Sequence, residues 1–187
     1  TTNRHDLSLK PPRKTMLDLL KDAGRDVIAV GKIFDIFDGE GVTEKIKTTG
    51  NTNGIAFTKA LQTRDFEGLA FVNLVDFDML YGHRRDVAGY AAAATEFDKF
   101  LADFIPGMRG GDILMVTADH GCDPSYTKTT DHTREYVPYL ICGKGVKPGV
   151  DLGTKLCFGT IAQTICDYLG VDASTLDGKS VLGDILA

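Results

Sequence analysis

The feature that most constrains the fold of this chain is a series of short apolar runs rich in β-branched residues. Four runs fit buried strands, and they lie in DVIAVG, GLAFVNLVDFD, GGDILMVTADHG and VPYLICG. Each is bounded by glycine or by acidic residues and is too short for a membrane-spanning segment. We therefore predict a sheet whose strands are buried on both faces.

Helical patterns separate these runs. Apolar residues recur at helical spacing over 14–23, 53–63 and 90–105, and again in FGTIAQTICDYLG, which Gly170 closes. Strands that alternate with helices are typical of parallel βαβ crossovers. The predicted fold class is α/β, with a mostly parallel sheet covered by helices on both faces.

Composition limits the possible functions. The chain has 187 residues, of which 43% are hydrophobic and 25% charged, so it can bury a core and is not expected to be disordered. A net charge of −5 argues against nucleic-acid binding, which requires clustered Lys and Arg. The four cysteines form no CxxC pair, and we find no signal peptide or apolar run long enough for a membrane. These observations favour a reduced, cytoplasmic protein.

The first residues indicate that the chain is part of a longer protein. They read TTNRHDLSLKPPRK, which is polar, contains a Pro-Pro pair and lacks an initiator Met. We therefore expect a fragment. His5 in this stretch is expected to make a structural hydrogen bond.

Acidic residues and histidines collect where predicted strands end. The candidates are Asp78 and His83 in DFDMLYGH, Asp119 and His120 in TADHG, and His132 in DHTREY. Ligands of open α/β sheets bind at the carboxyl ends of strands, so these segments can face one site. A single Asp-His pair is more often structural, but three such segments favour a cation, because unpaired buried carboxylates are costly.

The kinds of ligand indicate which metal chemistry to expect. Asp and His without thiolate suit Mn²⁺, Zn²⁺ or Fe²⁺ better than Ca²⁺. Five ligands exceed what one catalytic ion with an open position takes. Two ions about 3.5–4 Å apart, which can clamp the oxygens of a transferred phosphoryl group, fit this number.

The same segments carry a family resemblance. TADHGCDP, DHTREYVPYLICGKGVKPG and DFDMLYGHRRD resemble the metal-binding core of the alkaline phosphatase superfamily. NLVDFDMLYGHRRD and TDHTREYVP resemble, more narrowly, the bacterial phosphopentomutases. The similarity extends over essentially the whole chain, whereas ADHG alone is shared with the cofactor-independent phosphoglycerate mutases.

The resemblance implies roles for these residues. Asp78, His83 and His132 would hold one Mn²⁺, and Asp119 and His120 would contribute to the second. The family's nucleophile is a phosphothreonine in a preceding segment, so no catalytic nucleophile is expected here. Because metal coordination lowers the pKa of such a hydroxyl, the histidines are expected to be ligands rather than bases.

The resemblance also implies an activity and an organisation. Residues 1–187 would be the C-terminal portion of the catalytic core, without the N-terminal core segment and the cap domain. The complete protein would interconvert ribose 1-phosphate and ribose 5-phosphate, and the 2-deoxyribose phosphates, within nucleoside salvage. Two alternatives stay open. One is a phosphoglycerate mutase or phosphatase of the same superfamily, and the other is a folding unit that is inert alone.

Four basic residues are candidate phosphate contacts: Lys32, Arg84, Arg85 and Arg134. Lys32 follows a predicted strand but is equally consistent with a solvated surface lysine. Arg84 and Arg85 can form a bidentate phosphate clamp or pair with Asp86 at a helix N-terminus, and Arg134 has the same ambiguity.

Overall fold

The structure is a computed structural model that describes residues 8–129 and 131–186, so His5 lies outside the described residues. It divides into two compact units. Unit 1 draws its described residues from Thr1–Thr48, Asp65–Asn73 and Gly149–Leu186, and unit 2 from Thr49–Arg64 and Leu74–Pro148.

Helices and strands alternate over most of the described chain. Unit 1 contains α1 (Met16–Asp22), β1 (Asp26–Val30), α2 (Ile33–Ile36), β2 (Glu44–Ile46), β3 (Gly68–Val72), α5 (Gly159–Tyr168) and α6 (Leu182–Ile185). Unit 2 contains α3 (Asn51–Leu61), a π-helical turn (Phe77–Gly82), α4 (Val87–Phe104), a 3₁₀ turn (Ile105–Gly107), β4 (Ile113–Thr117) and β5 (Tyr139–Gly143). No helix of the described residues is long and apolar enough to cross a membrane.

The sheet of unit 1 is parallel, as the βαβ pattern predicts. Its strand order is β2-β1-β3, and Val30 of β1 is in register with Ile46 on one side and Val72 on the other. Successive side chains of a strand point to opposite faces. Because Val27 to Val30 are all at most 1% exposed, β1 is covered on both faces. The predicted α/β class with a parallel sheet flanked by helices is confirmed.

The core of unit 1 forms between α1, β1 and α5. Helix α1 starts where the Asp18 carboxylate accepts the backbone N–H of Thr15 at 2.7 Å, which satisfies a donor that the helix leaves free. Leu17 and Leu20 lie one helical turn apart and are fully buried. They pack in one apolar cluster with β1 and with Cys166 of α5.

Helix α4 is the longest helix of unit 2. It begins three residues earlier than the predicted 90–105, because Asp86 caps its N-terminus by accepting the backbone N–H of Gly89 at 2.9 Å. Its predicted apolar face is present, and the Phe100 ring lies 5.9 Å from that of Phe97 and 4.9 Å from that of Phe104, centroid to centroid.

One part of the topology differs from the prediction. Strands β4 and β5 pair antiparallel, with Ile113 opposite Gly143 and Thr117 opposite Tyr139. A parallel pair needs a crossover, usually a helix. The described residues between the two strands contain turns and a single β-bridge but no helix, so β5 returns beside β4. The expected mostly parallel pairing therefore does not extend to β4 and β5.

Several short elements were not predicted, among them β2 and the π-helical turn. Strand β2 lies in a stretch whose glycines and threonines indicate turns, and its three residues are only part-buried. The π-helical turn Phe77–Gly82 begins within the apolar run GLAFVNLVDFD, whose strand ends earlier, at Val72. It carries the first of the candidate ligands.

Candidate metal centre

The π-helical turn explains why an aspartate and a histidine five residues apart face each other. The backbone N–H of His83 donates to the carbonyl of Asp78 at 3.0 Å, which is the i to i+5 bond of a π-helix. Their side chains also approach each other, with Nε2 of His83 3.3 Å from Oδ1 of Asp78. The local backbone therefore brings these two candidate ligands together without help from elsewhere in the chain.

A bridged loop presents the other histidines. After β4 the chain passes His120 and reaches Gly121, which forms an antiparallel β-bridge with Thr133. The backbone N–H of Thr133 donates to the Gly121 carbonyl at 3.0 Å. The bridge joins the two chain segments just after His120 and just after His132, and the rings of these two histidines meet. Their rings stack with centroids 3.6 Å apart and an angle of 16° between planes.

Asp78 is the centre of the resulting cluster. Its Oδ1 lies 3.3 Å from Nε2 of His83 and 3.3 Å from Nε2 of His132. The Asp78 side chain is 33% exposed and each of these two histidine side chains 39%. The ligand atoms are thus partly desolvated but still open to an ion from solution.

Two overlapping groups of three side chains have ligand atoms within 4.8 Å of one another: Asp78 with His120 and His132, and His83 with Asp131 and His132. The structure therefore brings together Asp78, His83, His120 and His132, all of which lie in unit 2. Asp119 belongs to neither group, although its carboxylate lies 3.7 Å from Nε2 of His120, and its side chain is 73% exposed.

Asp131 was missed by the sequence analysis. Its side chain is 79% exposed, and its Oδ1 accepts the backbone N–H of His132 at 2.8 Å and lies 3.7 Å from Nδ1 of His132. That hydrogen bond lowers the pKa of the Asp131 carboxyl, and the charge of His132 acts in the same direction. The DH dipeptide in DHTREY was the available signal, because it repeats the DH of TADHG.

The side chains fit a divalent cation. Imidazole nitrogens and carboxylate oxygens converge on one volume, and this is the donor set that Mn²⁺, Zn²⁺ and Fe²⁺ accept. On His120 the Nδ1 atom lies 3.1 Å from the Gly121 carbonyl. A backbone partner on one ring nitrogen orients the other for a metal, as is common for histidine ligands.

Cys122 borders the cluster, with its Sγ 3.8 Å from Oδ1 of Asp78. Burial raises the pKa of this thiol, and the charge of Asp78 raises it further. The surrounding protein therefore favours the neutral thiol over a metal-binding thiolate.

The four candidate phosphate contacts have different environments. Lys32, Arg84 and Arg134 are exposed, and Lys32 belongs to unit 1 rather than to the unit that contains the cluster. Arg85 is part-buried, and its guanidinium donates to the backbone carbonyls of Gly82, Asp123, Thr129 and Asp131. Its donors are directed at the protein's own loops, which does not fit the expected phosphate clamp.

Another carboxylate near the cluster has a structural partner. Asp76 accepts the backbone N–H of Asn51 at 2.7 Å, and its own backbone N–H donates to the Asn51 side chain at 2.9 Å. Because Asn51 begins α3, the carboxylate sits at the positive end of a helix dipole. This pairing explains why Asp76 is not part of the cluster.

The fold and the cluster agree with a comparison of the chain with known families. The model of the Metalloenzyme superfamily matches residues 1–173, and the chain belongs to this superfamily. The chain is 53% identical over 186 residues to a phosphopentomutase of Lachnoclostridium phytofermentans and 52% identical over 186 residues to one of Acetivibrio thermocellus. Both matches include 100% of this chain but 47% of the relative, so the chain spans about half the length of these relatives.

Two further matches differ in what they show. A phosphopentomutase of Symbiobacterium thermophilum is 54% identical over 171 residues, which include 91% of this chain and 43% of that protein. A crystal structure of Leishmania mexicana phosphoglycerate mutase at low cobalt concentration superposes with a TM-score of 0.70 at 18% identity, and covers 88% of this chain and 38% of that one. At this identity the second match shows the fold alone. The resemblance to the phosphopentomutases is confirmed.

Proposed function

We propose that this chain is the metal-binding portion of a phosphopentomutase core. In this proposal residues 1–187 form the C-terminal part of the core, and a preceding core segment and a cap domain complete the enzyme. The observation that carries the proposal is the convergence of Asp78, His83 and His132 in a chain about half identical to phosphopentomutases over its whole length. Its substrates would be ribose and 2-deoxyribose phosphates.

We propose that Asp78, His83 and His132 hold one Mn²⁺ and that Asp119 and His120 contribute to a second. The contact of Asp78 with both histidines supports the first set. For the second set, His120 lies against His132, while the exposed Asp119 carboxylate remains near His120. The ions would supply positive charge where negative charge develops on a transferred phosphoryl group. The residues of this chain would hold the ligand atoms at fixed positions.

The nucleophile of this proposal is a phosphothreonine outside the 187 residues. We propose Lys32, Arg84 and Arg134 as phosphate contacts, which their exposed side chains allow. We further propose a cytoplasmic role in nucleoside salvage, consistent with four free cysteines.

The test uses the full-length protein, meaning the complete natural chain that contains these residues. We expect Mn²⁺-dependent conversion of ribose 1-phosphate to ribose 5-phosphate. We expect His132→Ala to lose one Mn²⁺ per chain, measured by elemental analysis, and to lose most of the activity. Lys128→Ala, an exposed change in the same loop, serves as the control and should keep both. Full metal content and full rate in His132→Ala would contradict the ligand assignment.

The competing functions are separated by substrate and by chain length. A phosphoglycerate mutase of the same fold would turn over 3-phosphoglycerate and leave ribose 1-phosphate unchanged. We expect the 187 residues alone to show no turnover, because they lack the proposed nucleophile. Measurable turnover by the isolated chain would place the nucleophile within it.

A further inference from the structure

Arg85 makes an unusually complete set of hydrogen bonds for a residue in a loop. Its Nε donates to the Thr129 carbonyl at 3.0 Å, and its Nη1 to those of Gly82 and Asp123 at 3.2 and 3.1 Å. Its Nη2 donates to the carbonyls of Thr129 and Asp131 at 2.5 and 2.6 Å. A guanidinium has five N–H donors. These bonds use all of them, and every acceptor is a backbone carbonyl.

The four acceptors belong to the segments that carry the candidate ligands. Gly82 directly precedes His83, and Asp131 directly precedes His132. Asp123 follows the loop that contains His120, and Thr129 precedes the loop of His132. We propose that Arg85 is a positioning residue for the metal centre, which ties these three segments into one rigid arrangement. This inference rests on the metal site of the proposed function.

Little else in the structure holds these loops. Besides the Gly121–Thr133 bridge, the described contacts across the loop include the Asp123 N–H donating to the Thr133 hydroxyl at 2.6 Å. No residue between Asp119 and Arg134 that the structure describes is buried. An apolar core therefore cannot fix the position of His132, and hydrogen bonds to Arg85 take that role.

The backbone of Arg85 is also adapted to this position. Its φ is 57°, a left-handed conformation uncommon for residues other than glycine. The turn after the π-helical segment thereby directs the guanidinium back between the loops. Glycine would fit this conformation with less strain, so the side chain is the reason for having arginine here.

Positioning and electrostatics predict opposite effects of removing this side chain. Loss of a nearby positive charge favours cation binding by Coulomb's law. Loss of ordering in the ligand-bearing loops disfavours it, and outer-shell partners of metal ligands are typically worth about 10- to 100-fold in affinity. The direction of the change therefore separates the two effects. Arg84, the neighbouring exposed arginine, supplies the matched charge control.

The experiment measures Mn²⁺ affinity of the full-length protein by isothermal titration calorimetry for Arg85→Ala, Arg85→Lys and Arg84→Ala. We expect Arg85→Ala to bind Mn²⁺ about 10- to 100-fold more weakly. We expect Arg85→Lys to be weakened too, because an ammonium has three donors on one atom and cannot span four carbonyls. Arg84→Ala should bind as tightly as the parent or more tightly. Millimolar ethylguanidinium should restore part of the affinity of Arg85→Ala.

A second measurement needs no metal. In chelator, backbone amide hydrogen exchange at Asp123 and Thr133 should be about tenfold faster in Arg85→Ala than in the parent, since hydrogen bonds that order the loop are lost. Unchanged exchange together with unchanged or tighter Mn²⁺ binding in both Arg85 variants would overturn the inference. If the parent itself binds no Mn²⁺, the metal assignment fails, and the exchange comparison alone decides whether Arg85 orders the loops.

Discussion

The two units of this chain differ in what holds them together. Among the described residues, twelve of the fifteen buried apolar side chains belong to unit 1, where β1 is sealed on both faces. Unit 2 contributes Leu61, Ala93 and Met108. Its candidate ligands are held by a π-helical turn, a β-bridge and hydrogen bonds to Arg85. Apolar burial thus stabilises unit 1, whereas polar contacts position the candidate ligands of unit 2.

The largest effect that tests this comparison is expected at Asp78. Asp78→Asn keeps the size of the side chain but removes the charge at the centre of the cluster, so we expect Mn²⁺ binding at this site to be abolished in titration calorimetry. The free energy of unfolding in chelator should change by less than about 1 kcal/mol, because no core packing is lost. Asp98→Asn, on the exposed surface of α4, is the control. Retained Mn²⁺ affinity in Asp78→Asn would show that the cluster is not a metal site.

The next effect is expected in the core of unit 1. Leu20 is fully buried in the apolar cluster, so Leu20→Ala should lower the free energy of unfolding by about 2–5 kcal/mol. Urea denaturation followed by circular dichroism measures this change. Leu9→Ala is the matched control, because Leu9 is 89% exposed and should have no comparable effect. If the Mn²⁺ affinity of folded Leu20→Ala also falls, the division of roles between the two units is too simple.

The smallest effect is expected at Asp76, a carboxylate of unit 2 with a structural role. Asp76→Ala removes the acceptor for the Asn51 N–H at the start of α3, and we expect a loss of about 1 kcal/mol in the free energy of unfolding. Mn²⁺ affinity should stay within a factor of about three, a small fraction of the outer-shell effect. A large loss of affinity would mean that Asp76 supports the cluster as well as α3.

The sequence predicted the longer elements of unit 1 and four of the clustered side chains, Asp78, His83, His120 and His132, for identifiable reasons. β1 is recognisable as a run of branched residues, and α1 and α5 have the expected apolar spacing, so local pattern and burial agree. The histidines and Asp78 stood out because few residue types bind metals. The antiparallel return of β5 was predictable in principle, since no helical pattern lies between the apolar runs of β4 and β5.

Other features of unit 2 depend on contacts between distant residues. Arg84 and Arg85 are adjacent and identical in type. Only the structure shows that Arg85 donates its five N–H groups to backbone carbonyls while Arg84 is exposed. Asp119 and Asp131 have equivalent DH contexts, yet only Asp131 joins a group of three possible ligands. Such differences arise from loop geometry that propensity and spacing do not specify.

The π-helical turn makes the number of residues in Phe77–Gly82 as important as their identity. An α-helix turns by about 100° per residue, so residues five apart in a regular α-helix would point about 140° apart. The wider π-helical turn is what lets Asp78 and His83 face each other. Natural insertions or deletions should therefore be rare within this hexapeptide and freer in the exposed loops. An engineer who wishes to alter the site should substitute side chains and leave the count unchanged.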